Sequence, residues 1–146
     1  PKSRGRITLR SADPNEAPLV DPNYLSHPYD VDRMIDGIRI GQEIMSQPSL
    51  QKYLANVHLP QKTLTTRAEL EAHVRQFTQG SYHLSGACKM GKDDMAVVDP
   101  QLRVHGIAGL RVADTSVMPS VTSGNLNAPA IMIGERAVDF IKGNHF

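Results

Sequence analysis

Residues 113–141 constrain this chain more than any other part of it. Ala113-Asp114-Thr115-Ser116-Val117-Met118-Pro119 leads to Ser123-Gly124-Asn125-Leu126-Asn127-Ala128-Pro129, and Ala130 to Ile141 is then apolar on most sides. Just upstream, Leu110-Arg111-Val112-Ala113 alternates and reads as a strand ending at Asp114. The spacing predicts a helix opening near Asn127, with Pro129 in its first turn, where a missing N–H leaves nothing unpaired. Ile131, Met132, Ile133, Ala137, Val138, Phe140 and Ile141 make that helix apolar enough to expect burial. Gly143-Asn144 ends it. A helix start presents free amides and a partial positive charge, which suits an anion. The plainer alternative is that Asn125 or Asn127 is only an N-cap. Local sequence taken alone favours the cap.

A second stretch, Tyr82-His83-Leu84-Ser85-Gly86-Ala87-Cys88-Lys89-Met90-Gly91, puts a histidine in a glycine-containing loop between two predicted elements. Histidine is the side chain best suited to moving protons near neutral pH. Yet the chain has six His residues, and five have no distinctive setting, so His83 read alone is better explained as a structural or surface group. Cys88 has no adjacent base and no partner at metal-ligand spacing, so neither a nucleophile nor a metal site is expected. No GxGxxG opens a strand–helix unit, and no glycine-rich loop ends in Lys-Ser/Thr. The chain carries no dinucleotide-binding fingerprint of its own.

Elsewhere the reading is of a soluble mixed fold. Arg6-Ile7-Thr8-Leu9-Arg10 alternates and predicts a short strand with Ile7 and Leu9 facing inward. Residues 11–28 are rich in Pro, Asp and Asn and read as a long loop. Asp30 is the expected cap of a helix with Val31, Met34, Ile35, Ile38 and Met45 on its buried stripe, stopped by Pro48. Leu50 to Asn56 suggests another turn or two. Thr66-Arg67-Ala68-Glu69 is a capping box, followed by Leu70, Val74 and Phe77 in a helix ending near Gly80. Val97–Pro100 and Leu102–Val104 read as short extended pieces.

The 146 residues suit a single domain, one able to bury roughly 68–70% of its unfolded surface. A net charge of +1 gives no footprint for nucleic acid or anionic membrane, and no apolar run is long enough to span a bilayer. The single cysteine excludes an internal disulfide and favours a reducing compartment, hence a cytoplasmic placement. Pro1 is not an initiator Met, so the chain reads as a piece of something longer or as a processed product.

The run from Ala96-Val97-Val98-Asp99-Pro100-Gln101-Leu102-Arg103-Val104-His105-Gly106 to Pro119, continued by Gly124 to Glu135, resembles the C-terminal signature of the glucose–methanol–choline (GMC) oxidoreductases, choline dehydrogenase-like branch. Ser3-Arg4-Gly5 and Ser11-Ala12-Asp13-Pro14 extend the likeness, which covers about Lys2 to Lys142. The resemblance implies an α+β fold: an antiparallel sheet flanked by helices, plus a C-terminal helix that returns to an FAD-binding domain. Residues 1–146 would then be a single C-terminal domain. Its substrate-binding part spans about 1–95 and its flavin-proximal segment about 96–142. The N-terminal FAD-binding part lies outside this chain.

The resemblance also implies oxidation of a primary, choline-like alcohol by hydride transfer to FAD. His83 matches the family's active-site histidine, and Asn127 the second active-site position. Ala113 and Asp114 match a segment touching the FAD phosphates and ribityl chain; Ala128 and Pro129 match residues beside the flavin pyrimidine ring. No metal is implied. The expected partners are a small alcohol and the missing FAD domain, without nucleic acid or a transmembrane segment; peripheral membrane association of the parent is compatible with this. The chain alone is not expected to retain FAD. His83-Leu84-Ser85-Gly86-Ala87 departs from the family's common His-Pro-Val-Gly-Thr, and Leu126 and Ala130 replace common Thr residues. Two other readings stand beside this one: a non-catalytic stable fragment or interaction domain, and a cyanohydrin lyase on the same scaffold. Asn127 weighs against the lyase, whose branch of the family prefers a pair of histidines.

Overall fold

Segments between prolines and caps set the architecture. In the computed structural model, which describes residues 1–143, the elements run β1 (Arg6–Thr8), β2 (Leu19–Asp21), α1 (Pro28–Met45), α2 (Pro48–Gln51), α3 (Arg67–Phe77), a 3₁₀ turn at Thr115–Val117, and α4 (Asn127–Lys142). The fold is α+β, with a two-stranded antiparallel sheet and four α-helices among the described residues. It divides into two compact units, Pro1–Gln79 and the part from Gly80 onward.

In the first unit, β1 and β2 pair with Arg6 opposite Asp21, Ile7 opposite Val20 and Thr8 opposite Leu19. β2 lies inside the stretch expected to be all loop. Proline and Asp/Asn density masked a strand only three residues long. Gly5 is required by this pairing, because a Cβ there would stand 2.3 Å from the Asp21 carbonyl. Ile7 and Leu9 were expected inward; they are exposed, at 54% and 82%. Alternation shows that a strand has two unlike faces, but not that a second layer of this chain covers one.

Helix α1 begins two residues earlier than its expected cap. His27 is the N-cap, its Nδ1 accepting from the Tyr29 amide at 3.1 Å, and Pro28 opens the first turn. Asp30 sits inside that turn and is buried. Its carboxylate accepts from the Lys2 and Ser3 amides, each at 2.7 Å, and from the Ser3 hydroxyl. Val31 and Ile35 pack with Leu64, Leu70 and Val74 to form this unit's core, with Ile38 at its margin. Met34 and Met45, expected on the stripe, are exposed. Pro48 opens α2 rather than only stopping α1, which follows from the preference for proline in a first turn. Thr66 and Glu69 form the expected capping box on α3, satisfying one amide each way. Leu70 and Val74 are buried, while α3 ends at Phe77, which is exposed. Gln42 holds Leu64 by both backbone groups, accepting from its N–H and donating to its carbonyl.

In the second unit the core is Val98, Leu102, Val117, Met118, Leu126, Ile133 and Ala137. The extended pieces expected around 97–104 and 110–113 form isolated bridges instead of full strands: Met90 with Val98, Val98 with Val104, and Arg103 with Arg111. Asp99 makes the intervening turn by accepting from the Gln101 and Arg103 amides and pairing with the Arg103 guanidinium. Helix α4 starts at Asn127 and closes on Gly143, whose φ of 76° gives the left-handed C-cap. Asn144 lies outside the described residues. The expectation of burial all round α4 needs correction. Ile133 and Ala137 are buried, but Ile131, Met132, Val138 and Ile141 are exposed. Among the described residues, no helix is long and apolar enough to cross a membrane.

Candidate active site

The loop carrying His83 is fastened along the 3₁₀ turn. The amides of Gly86, Cys88 and Met90 donate to the carbonyls of Thr115, Ser116 and Val117, and the Thr115 hydroxyl donates to the Leu84 carbonyl at 3.1 Å. Gly86 has φ of 84°, and a Cβ there would come within 3.3 Å of the Met118 carbonyl, so glycine is what allows the close approach. The turn itself is shaped by Asp114, whose Oδ1 accepts from the Ser116 amide at 2.7 Å.

These fastenings carry His83 to the mouth of α4. Its Nδ1 accepts from the Leu126 amide at 3.4 Å. Leu126 is the N-cap of α4, its side chain buried and making no capping bond. The histidine therefore stands where a capping side chain would, on the amide just before Asn127. No hydrogen bond joins His83 to Asn127 directly. Asn127 is the first helical residue, not the cap, and it is exposed. Its side-chain amide has no hydrogen-bond partner among the described residues.

The other expected contact residues fall on the same short elements. Ala113, Asp114 and Ala128 are exposed and Pro129 is half-buried. Asp114 spends Oδ1 on its own turn, leaving Oδ2 for an outside group. Ala128 and Pro129 occupy the first turn of α4, where no side chain caps the helix amides. Ala113, Ala128 and Pro129 permit close approach of a group with phosphate and carbonyl oxygens, and the uncapped turn offers it the Asn127 and Ala128 amides, whereas the free Asp114 oxygen, an acceptor, suits a hydroxyl of that group. An open cavity of about 440 Å³ lies elsewhere, over residues 103–111, and its lining includes neither His83 nor Asn127. Among the described residues no cluster of three or more His, Cys, Asp and Glu could hold a metal ion.

Sequence reading missed three contributors. The Leu126 amide is a backbone group and leaves no trace in residue type. The Thr115 hydroxyl reaches 31 residues along the chain to Leu84, and no local pattern signals that. Tyr82, just before His83, has φ of 60°, a conformation that its aromatic side chain does not advertise.

The chain is 48% identical over 141 residues to an alcohol dehydrogenase [acceptor] of Pseudomonas putida, covering 97% of this chain and 26% of that protein. It is 50% identical over 141 residues to an oxygen-dependent choline dehydrogenase of Paraburkholderia xenovorans, covering 97% and 25%. The chain thus spans about a quarter of the length of these curated relatives. Among solved structures, pyridoxine 4-oxidase from Mesorbium loti superposes with a TM-score of 0.90 at 29% identity, covering 100% of this chain and 28% of that one. A formate oxidase superposes with a TM-score of 0.89 at 34% identity, covering 99% and 26%. The family profile described as GMC oxidoreductase matches residues 1–134, and the chain belongs to that family.

Proposed function

We propose that the chain is the substrate-binding and active-site part of an FAD-dependent oxidoreductase that oxidises a primary, choline-like alcohol to an aldehyde. The observation that carries this reading is the seating of His83 on the Leu126 amide, one residue before the exposed Asn127. Support for the substrate class comes from relatives named for alcohol and choline dehydrogenation.

When bound, the flavin supplies the two-electron acceptor for the alcohol's hydride. Ala113 and Asp114 would hold its phosphates and ribityl chain, and Ala128 and Pro129 would lie beside its pyrimidine ring. The α4 amides, with the positive end of the helix dipole, favour negative charge developing in front of them. Because His83 Nδ1 accepts from a backbone N–H, the neutral ring carries its proton on Nε2. That N–H donates to the alcohol oxygen and stabilises the negative charge building there, while the hydroxyl proton passes to solvent water, to which the exposed His83 and Asn127 leave the site open. Accepting that proton on the ring instead requires moving the existing one to Nδ1 and giving up the Leu126 contact. The geometry thus supports the donor role. Asn127 can donate a second hydrogen bond to the same oxygen, but it cannot act as a base.

The remaining partner is the FAD-binding domain that precedes this part in the parent, with no nucleic acid. A cytoplasmic placement rests on the single cysteine. In the full-length parent, His83→Ala should lower turnover by about 10²–10⁴-fold while leaving the flavin spectrum in place. Normal flavin reduction by the alcohol in that variant would remove His83 from the mechanism. Purified alone, this chain should be colourless; a near-stoichiometric yellow flavin would show that it holds FAD unaided.

A further inference from the structure

The bend at Tyr82 bears on how His83 is aimed. Tyr82 has φ of 60°, in the left-handed region that a bulky L residue disfavours. Strain of this kind persists where the surroundings over-determine the backbone, and it clusters at functional sites. The ring is not what holds it there. Tyr82 is 96% exposed, and no hydrogen bond or ring contact of its side chain exists among the described residues. The following residues are the fixed ones. The Leu84 carbonyl is held by Thr115, and the Gly86, Cys88 and Met90 amides are bonded along the 3₁₀ turn. His83 is the sole residue between the bend and the first of these anchors. Relaxation of Tyr82 to negative φ has to be taken up by the residues on either side of it, and on the downstream side His83 is the only one ahead of the first anchor.

We propose that Tyr82 is a positioning residue whose left-handed backbone, rather than its ring, holds the His83 imidazole against the Leu126 amide, with the ring proton outward on Nε2. This rests on the role given to His83 above. The backbone and ring explanations separate cleanly by substitution. Asparagine and glycine both remove the ring and both tolerate the left-handed region. Valine is close to asparagine in size but is β-branched and averse to that region.

The test uses the full-length flavin-loaded parent and measures single-turnover flavin reduction by choline as the probe alcohol. Tyr82→Asn and Tyr82→Gly should reduce flavin within about threefold of the parent, and Tyr82→Val at least about tenfold more slowly, with unchanged flavin content. Isotope-edited histidine NMR gives a signature independent of turnover: a single Nε2-protonated neutral tautomer for His83 in the parent and Tyr82→Asn, and mixed tautomers in Tyr82→Val. Equal slowing in all three variants would assign the role to the ring and overturn the proposal. Equal speed in all three would overturn it as well. Should Tyr82→Val not accumulate as holoenzyme, Tyr82→Ala, which also lacks the ring but disfavours the left-handed region, takes its place: slower reduction than in Tyr82→Asn supports the backbone role, and equal rates in the two refute it. A His83→Ala control that reduces normally would defeat the reading of His83 itself, independently of the Tyr82 results.

Discussion

Removing the Asp30 carboxylate should loosen the chain's N-terminal strap from α1, and the structure allows its cost to be worked out. Burial alone would raise the Asp30 pKa, but the Ser3 hydroxyl and the Lys2 and Ser3 amides outweigh it, with a smaller contribution from the Pro1 ammonium. Together they hold the group at about 2, against an ordinary 3.8. At about 1.36 kcal/mol per unit this corresponds to an upper bound of about 2.5 kcal/mol. Solvent screening near the exposed strap lowers it, so Asp30→Asn should cost about 1–2 kcal/mol at pH 7. Because the folded pKa is depressed, the carboxylate's contribution is fully present above the unfolded value. It is lost as pH falls from about 4 through about 2. Urea unfolding of the chain and of Asp30→Asn at about pH 7 and about pH 2.5 checks both statements. The gap between the two proteins should narrow markedly at the lower pH. A gap that is absent at pH 7, or the same at both, would refute the assignment of this stability to the ionised carboxylate.

Three further outcomes follow from the geometry. Asn127→Ala should slow flavin reduction in the full-length parent by about tenfold, through loss of one donor to the alcohol oxygen; an unchanged single-turnover rate would reduce Asn127 to a helix-start residue. Gly86→Ala should destabilise the second unit by about 1–2 kcal/mol, since it forces a side chain into φ of 84° and against the Met118 carbonyl; thermal unfolding measures this. Leu70→Ala, at a fully buried position, should cost about 2–5 kcal/mol by urea unfolding.

The sequence announced some elements because their signals are local. The Thr66–Glu69 capping box and the glycine-closed α4 are satisfied by residues within one turn of where they act. The cap of α1 was misplaced because two polar residues near its start compete for the role. His27 took it, and Asp30 was drawn to Lys2 and Ser3, 28 and 27 residues away in sequence. A contact of that range has no periodicity to betray it. β2 was hidden for a different reason: its pairing depends on Gly5 accepting the close approach of Asp21, and without β1 beside it a three-residue strand among prolines and Asp/Asn looks like loop.

The candidate site shows the same division. His83 and Asn127 could be singled out as residues, because a resemblance to the GMC oxidoreductases marks positions. What links them locally is the Leu126 amide, which any residue but proline would supply at that place. The apolar patterns err in a consistent direction. Ile7, Leu9, Ile131 and Ile141 all follow patterns that predict burial, and all are exposed here. Periodicity records that a face is unlike its opposite; it does not record which surface meets it. In a chain spanning about a quarter of its relatives' length, amphipathic patterning identifies faces more reliably than it identifies a core. The residues whose burial was foreseen correctly, Val31, Ile35, Leu70, Val74, Ile133 and Ala137, lie on the helix faces that pack into the core of their own unit.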